Sequence, residues 1–164
     1  MAKRGSIEIS FGMIFSIILI IAFIAAAFYV IPKIISLFRC AETGSFYNDL
    51  QDKVSKAWRS DENLETWTTT LPTSIQYACI VNWSDNARGV NSEFYNDMSL
   101  FRKNIVLWPA SKVCSGLEGA NLQYLDLRQI TSVNNPFCVK VVNGKVILRI
   151  EKAINERLVR IKNA

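Results

Sequence analysis

The sequence contains no histidine, and no two of its four cysteines stand closer than 24 residues apart. Without histidine, Ser-His-Asp and Cys-His nucleophile arrangements are excluded, together with the commonest proton acceptor at neutral pH. Without a C-x-x-C pair, the cysteine pattern does not describe a zinc cage. Neither a P-loop nor a dinucleotide-binding glycine pattern is present. Carboxylates such as Asp85, Glu93 and Asp97 are paired by no spacing and read as solvated surface charges. A cysteine nucleophile needs a setting that lowers its thiol pKa, and nothing in the sequence argues for one. The chain is therefore expected not to be an enzyme, and to hold no cofactor or metal.

Charge is the second absence. None lies between Glu8 and Lys33, and from Phe11 to Ile31 only Gly12, Ser16 and Tyr29 are even mildly polar. Thirteen of those residues are Ile, Leu, Phe or Val. Their insertion free energies sum to about −4 to −8 kcal/mol, which one central charge at about +3 kcal/mol would not reverse. At helical rise the run spans about 31 Å, close to the thickness of a hydrocarbon core. It predicts a transmembrane helix over 11–31. A buried core helix is one competing reading, but core helices seldom stay apolar on every side. A secretory signal is the other; its apolar region is about 7–15 residues and ends at small residues. "AFIAAAF" offers small residues near Ala27, yet Phe28, Tyr29, Val30 and Ile31 carry the run past them.

Basic residues do not orient this span. Lys3 and Arg4 precede it, Lys33 and Arg39 follow it, and the positive-inside comparison is nearly tied. Cysteines orient it better. Cys40, Cys79, Cys114 and Cys138 all follow the span, and an even number of isolated cysteines suits two disulfides in an oxidising compartment. Four thiols facing the cytosol are the alternative. The favoured orientation is amino terminus cytoplasmic and domain extracytoplasmic, at the cell membrane. Asn82-Trp83-Ser84 is a glycosylation sequon compatible with that side. Four cysteines allow three pairings; Cys79–Cys138 is favoured because both fall in expected strands, leaving Cys40–Cys114 to tie a stalk to a loop.

The chain divides into a basic segment over 1–10, the span over 11–31, a stalk over 32–60 and an α+β domain over 61–164. Pro32 ends or kinks the span, since it lacks an N–H. Ile34, Ile35 and Phe38 continue an apolar side, Gly44 interrupts, and Ser45 caps a new helix. Tyr47, Leu50, Val54, Ala57 and Trp58 then recur at helical spacing and are expected to pack on the domain. "DENLETWTTTLPTS" reads as a polar, Thr-rich connection. "SIQYACIVNW" alternates as a strand with one inner face, Ile75, Tyr77, Cys79, Val81 and Trp83. Phe94, Met98 and Phe101 mark a second amphipathic helix, "NIVLWP" a short strand stopped by Pro109, and "LQYLDLRQI" a further strand.

Asn143-Gly144, between two apolar runs, is the preferred pair for a type I′ hairpin. Two-residue closure would set Val142 opposite Lys145, Val141 opposite Val146, Val139 opposite Leu148, Cys138 opposite Arg149 and Phe137 opposite Ile150. One face is then apolar; the other carries Cys138, Lys140, Lys145 and Arg149. "INERLVRIK" is read as an edge strand. The expected fold class is α+β: an N-terminal transmembrane helix, then a small, mostly antiparallel sheet domain with one or two packed helices.

From Lys140 onward there are seven basic and two acidic residues. Guarding of a sheet edge is the favoured explanation; contact with anionic headgroups or a glycan is the alternative, and nucleic acid is not expected. Within the span, Gly12, Ser16, Ala22 and Ala26 share a sector of about 120° on a helical wheel. Small residues let helices approach closely, so a homo-oligomer formed through this helix within the lipid bilayer is expected.

"KRG" followed by "SIEISFGMIFSIILIIAFIAAAF" resembles the start of archaeal type IV pilin-like proteins, which carry class III signal peptides. The resemblance covers about 30 residues and implies cleavage by a membrane peptidase on the cytoplasmic side. Lys3 and Arg4 would be its recognition residues, Gly5 the last leader residue and Ser6 the new amino terminus. Glu8 would be the carboxylate near that terminus, at the third mature position, where the family usually has it at the fifth. The apolar helix would form a filament core and the domain its exterior. The expected function is a single-pass, membrane-anchored cell-surface structural or interaction protein, in the form of a pilin-like subunit. The alternative is an uncleaved, anchored module that binds a surface protein or glycan.

Overall fold

The structure, a computed structural model, describes residues 11–164. Its elements in chain order are α1 (Phe11–Arg59), β1 (Asn63–Thr70), β2 (Tyr77–Ile80), α2 (Phe94–Met98), β3 (Ile105–Trp108), a 3₁₀ turn (Ala110–Lys112), β4 (Gly119–Ala120), α3 (Leu127–Ile130), β5 (Phe137–Lys140), β6 (Lys145–Lys152) and β7 (Arg160–Asn163). A long apolar helix followed by antiparallel sheets and short helices makes this the α+β fold expected from the sequence. The chain forms two compact units, one ending at Leu37 and one from Phe38 to Ala164.

The helix does not break where the sequence suggests. Pro32 lies inside α1, and so do Gly44 and Ser45. Glycine costs a helix about 1 kcal/mol relative to alanine, whereas burying one large apolar side chain gains about 1.5–3 kcal/mol. Thr43, Phe46, Tyr47, Leu50, Val54 and Ala57 are all buried along one stripe that starts just before Gly44 and continues past it, so packing outweighs the local breaker. Ser45 is no cap; its hydroxyl donates to Asp49 within the helix. Trp58 stays at the rim, stacked on Tyr124 with ring centroids 4.0 Å apart.

Two sheets build the second unit. The first has the order β1-β6-β7 and the second β4-β3-β2-β5, and every pairing between these strands is antiparallel. The main core joins the helix stripe to one face of each sheet: Val146, Leu148, Ile150 and Ile161 from the first, Ala78, Ile80, Ile105, Leu107 and Val139 from the second. The opposite face of the second sheet carries a smaller core. Cys79, Val81, Met98 and Val106 are buried there under Trp83, Phe94, Tyr95 and Phe101. The strand at Tyr77–Ile80 is therefore covered on both sides, where a single inner face was expected. Helix α2 is shorter than its sequence pattern, but Phe94, Met98 and Phe101 do share one cluster.

Three further expectations are corrected. The Thr-rich connection is strand β1, half-buried at every second residue; β-branched threonines favour the pleated backbone, and Trp67 supplies an inner face. The strand expected over Leu122–Ile130 is replaced by the short helix α3, capped by Asp126, whose carboxylate accepts from the Gln129 N–H at 2.9 Å. Only Leu125 makes a bridge, parallel to Val159. The hairpin register holds for one pair alone. Asn143 and Gly144 have φ of 52° and 71°, as a type I′ turn requires, and Val142 and Lys145 exchange both hydrogen bonds. Beyond that pair the strands part, because each finds a partner outside the hairpin. The Val141 N–H donates to Gln76 O, and the Leu71 N–H to Gly144 O, both at 2.8 Å. β5 then pairs with β2, and β6 with β1.

Candidate functional site

Phe11 to Arg39 is solvent-exposed throughout, although most of it is apolar. By length and composition this helix can cross a membrane. Gly12, Ser16, Ala22 and Ala26 all lie on it, and the Ser16 hydroxyl donates to Gly12 O at 2.8 Å, so its polarity is satisfied within the helix. Lys33 closes the apolar run. Its ammonium donates to the Tyr29 hydroxyl at 2.6 Å and lies 4.1 Å from the centroid of that ring, an aromatic–cation arrangement suited to a membrane–water boundary. The leader candidates Lys3, Arg4, Gly5, Ser6 and Glu8 lie outside the described residues.

Both disulfides fall in the second unit. Cys40, on α1, is bonded to Cys114, beside the 3₁₀ turn, with Cα atoms 5.5 Å apart. Cys79 is bonded to Cys138, directly opposite on β5, with Cα atoms 4.0 Å apart. The Val141–Gln76 hydrogen bond makes 79/138 a non-hydrogen-bonded pair, where antiparallel strands approach most closely. This is the pairing favoured from the sequence. It closes loops of 74 and 59 residues, each worth about 4 kcal/mol on a chain-entropy account.

Asn135 belongs to no motif or periodic pattern legible in the sequence. It is fully buried. Its amide donates to the carbonyls of Asn82, Asp85 and Asn86 at 2.9, 3.2 and 3.2 Å, and its oxygen accepts from the Asn82 N–H at 3.0 Å. One side chain thus holds the loop after β2. Asp85 in that loop accepts from the Asn86 N–H and pairs with Arg88, and these two contacts lower its pKa from the usual carboxylate value. Within the main core, Tyr47 donates to Leu117 O at 3.0 Å. Burial, aided by the charge of Glu118, raises its pKa well above that of a free phenol.

The outer face of the first sheet carries four of the basic residues, Lys145, Arg149, Arg160 and Lys162. Glu151 gathers three of them: Arg149 and Arg160 stand 3.8 and 3.6 Å from its oxygens, and Lys162 pairs with it as well. Among the described residues, Lys140 and Lys145 pair with no carboxylate. They flank an open cleft of about 510 Å³ at the mouth of the hairpin, together with Val142, Ile147 and Asn163. The sequence did not reveal the other half of that face, the outward threonines Thr66, Thr68 and Thr70 on β1; their period-2 spacing around Trp67 was the signal. Among the described residues, no group of three or more His, Cys, Asp or Glu side chains converges as a metal site.

No family model, no curated protein and no solved structure matches this chain.

Proposed function

We propose that the chain is a single-pass, membrane-anchored structural or interaction protein of the cell surface, built as a pilin-like subunit. The amino terminus lies in the cytoplasm, and the disulfide-braced body lies outside. One observation carries this reading: a single helix has a fully exposed apolar half and an amphipathic half. The first half fits lipid or the same helix in another copy, and the second is cemented into a folded body. Two disulfides in that body fit an oxidising compartment. The Gly12, Ser16, Ala22 and Ala26 sector supports close helix packing. Mass spectrometry of the amino terminus of the native protein tests the processing step. A chain beginning at Ser6 supports a pilin-like subunit; an intact Met1 removes that form and leaves the uncleaved anchor.

The uncleaved binding module is the second reading, favoured by the exposed cations of the hairpin cleft. Lys140 and Lys145 beside apolar Val142 and Ile147 suit an anionic sugar or headgroup. Titration of the full-length protein in nanodiscs with acidic glycans checks this: binding abolished by K140A/K145A supports it, and no binding by the parent protein ends it.

A further inference from the structure

Four strand edges terminate the two sheets, and three are guarded. β4 has two residues. β5 has four, follows Pro136 and exposes Lys140. β7 carries Arg160 and Lys162, and Val159 before it is already paired, its N–H donating to Tyr124 O at 2.8 Å and its carbonyl accepting from Asp126. Brevity, proline and lysine all discourage the addition of another strand.

β1 has none of these devices. It runs for eight residues, and β6 is the element paired along it. The Leu71–Gly144 hydrogen bond continues the β1–β6 register, so the amides of Asn63, Glu65, Trp67 and Thr69 face β6. Those of Leu64, Thr66, Thr68 and Thr70 face the open edge. The side chains of these four are exposed and uncharged, and three are β-branched. The one charge within the strand, Glu65, points inward and is neutralised by Lys53.

We infer that β1 is an association edge for a second copy of this chain. Two β1 strands pair antiparallel about a two-fold axis at Trp67, with Thr66 opposite the second copy's Thr68 and Leu64 opposite its Thr70. Every edge donor then meets an acceptor, threonine pairs stand across the junction, and no like charges oppose each other. The first sheets of the two copies become one sheet of six strands. Charge argues for a second copy as occupant. The edge has no charge to recognise an acidic or basic peptide, while the residues after the span carry 17 basic and 13 acidic side chains. Two such bodies approach most easily along an uncharged edge. The pairing does not depend on the membrane helix or on cleavage after Gly5.

The test uses the full-length, disulfide-intact chain in detergent micelles, with A22L/A26L present throughout to suppress helix association. Sedimentation and residue-resolved amide exchange are read over a dilution series. The expected result is a dimer at high concentration in which the amides of Leu64, Thr66, Thr68 and Thr70 slow by about tenfold or more, while the already bonded Glu65, Trp67 and Thr69 do not change. T66K/T68K, which opposes lysine to lysine twice, should weaken the dimer by about tenfold. T66K/T68E, which opposes lysine to glutamate twice in this register alone, should restore it. Rapid exchange of the four edge amides at every concentration overturns the inference. So does a T66K/T68K protein that dimerises as tightly as its parent, or a T66K/T68E protein no better than T66K/T68K.

Discussion

Phe46 on α1 and Trp67 on β1 stack with ring centroids 5.9 Å apart and planes 16° from parallel. That stack joins the helix to the strand whose polar sequence concealed it. Removing Phe46, which is 1% exposed, should cost about 3–5 kcal/mol. A double-mutant cycle with Trp67→Leu should return a coupling of about 0.5–1.5 kcal/mol. Urea unfolding of the four proteins measures both; a coupling near zero would show that the rings do not stabilise each other.

Replacing each disulfide as a pair, C40A/C114A or C79A/C138A, should destabilise the body by about 2–4 kcal/mol. No protein thiol should react with a thiol reagent in denaturant until reductant is added. Reactive thiols in the unreduced, denatured parent would contradict the oxidised body. Non-reducing peptide mapping should recover Cys40 with Cys114 and Cys79 with Cys138, and no other pairing.

Asn135→Ala removes the one buried donor shared by the carbonyls of Asn82, Asp85 and Asn86. The expected loss is about 1–3 kcal/mol, with faster amide exchange in the loop after β2. Asn135→Asp should be worse, because it sets a buried negative charge against those same carbonyl oxygens. A variant as stable as its parent would show that the loop holds itself.

Tyr47 links stability to alkaline pH. Its folded pKa lies above the unfolded value of about 10 because burial, and then Glu118, disfavour the phenolate. The unfolded chain therefore releases this proton first as pH rises. The Tyr47 contribution is fully present below pH 10 and is lost progressively above it. Denaturant unfolding from pH 8 to 11 should show stability falling above about pH 10, and Tyr47→Phe should flatten part of that fall. An unchanged alkaline limb in the variant would place its cause elsewhere.

Much of this fold can be read from the sequence, because burial leaves a periodic trace. Leu50, Val54 and Ala57 recur at helical spacing, and Val139, Val141, Val146 and Leu148 alternate; all are buried in one core. The turn at Asn143-Gly144 is legible because its left-handed backbone restricts residue choice. What cannot be read is competition between distant partners. Gln76 and Leu71 take the hairpin's hydrogen bonds, and nothing local to residues 137–150 announces them. Breaker residues mislead for a related reason, since Gly44 is a local cost set against the packing of Phe46 and Leu50. At the candidate site, the span and its small residues are legible in composition. The Asn135 clamp and the open β1 edge depend on register and stay hidden.

Membrane anchoring with an external body is tested most directly by protease shaving of intact cells, followed by mass spectrometry of the washed membranes. The expected result is release of peptides from the body, over residues 61–164, while the apolar helix over 11–31 remains in the membrane after alkaline washing. A body protected until the cells are broken, or a full-length chain recovered in the soluble fraction with its apolar helix intact, would contradict it.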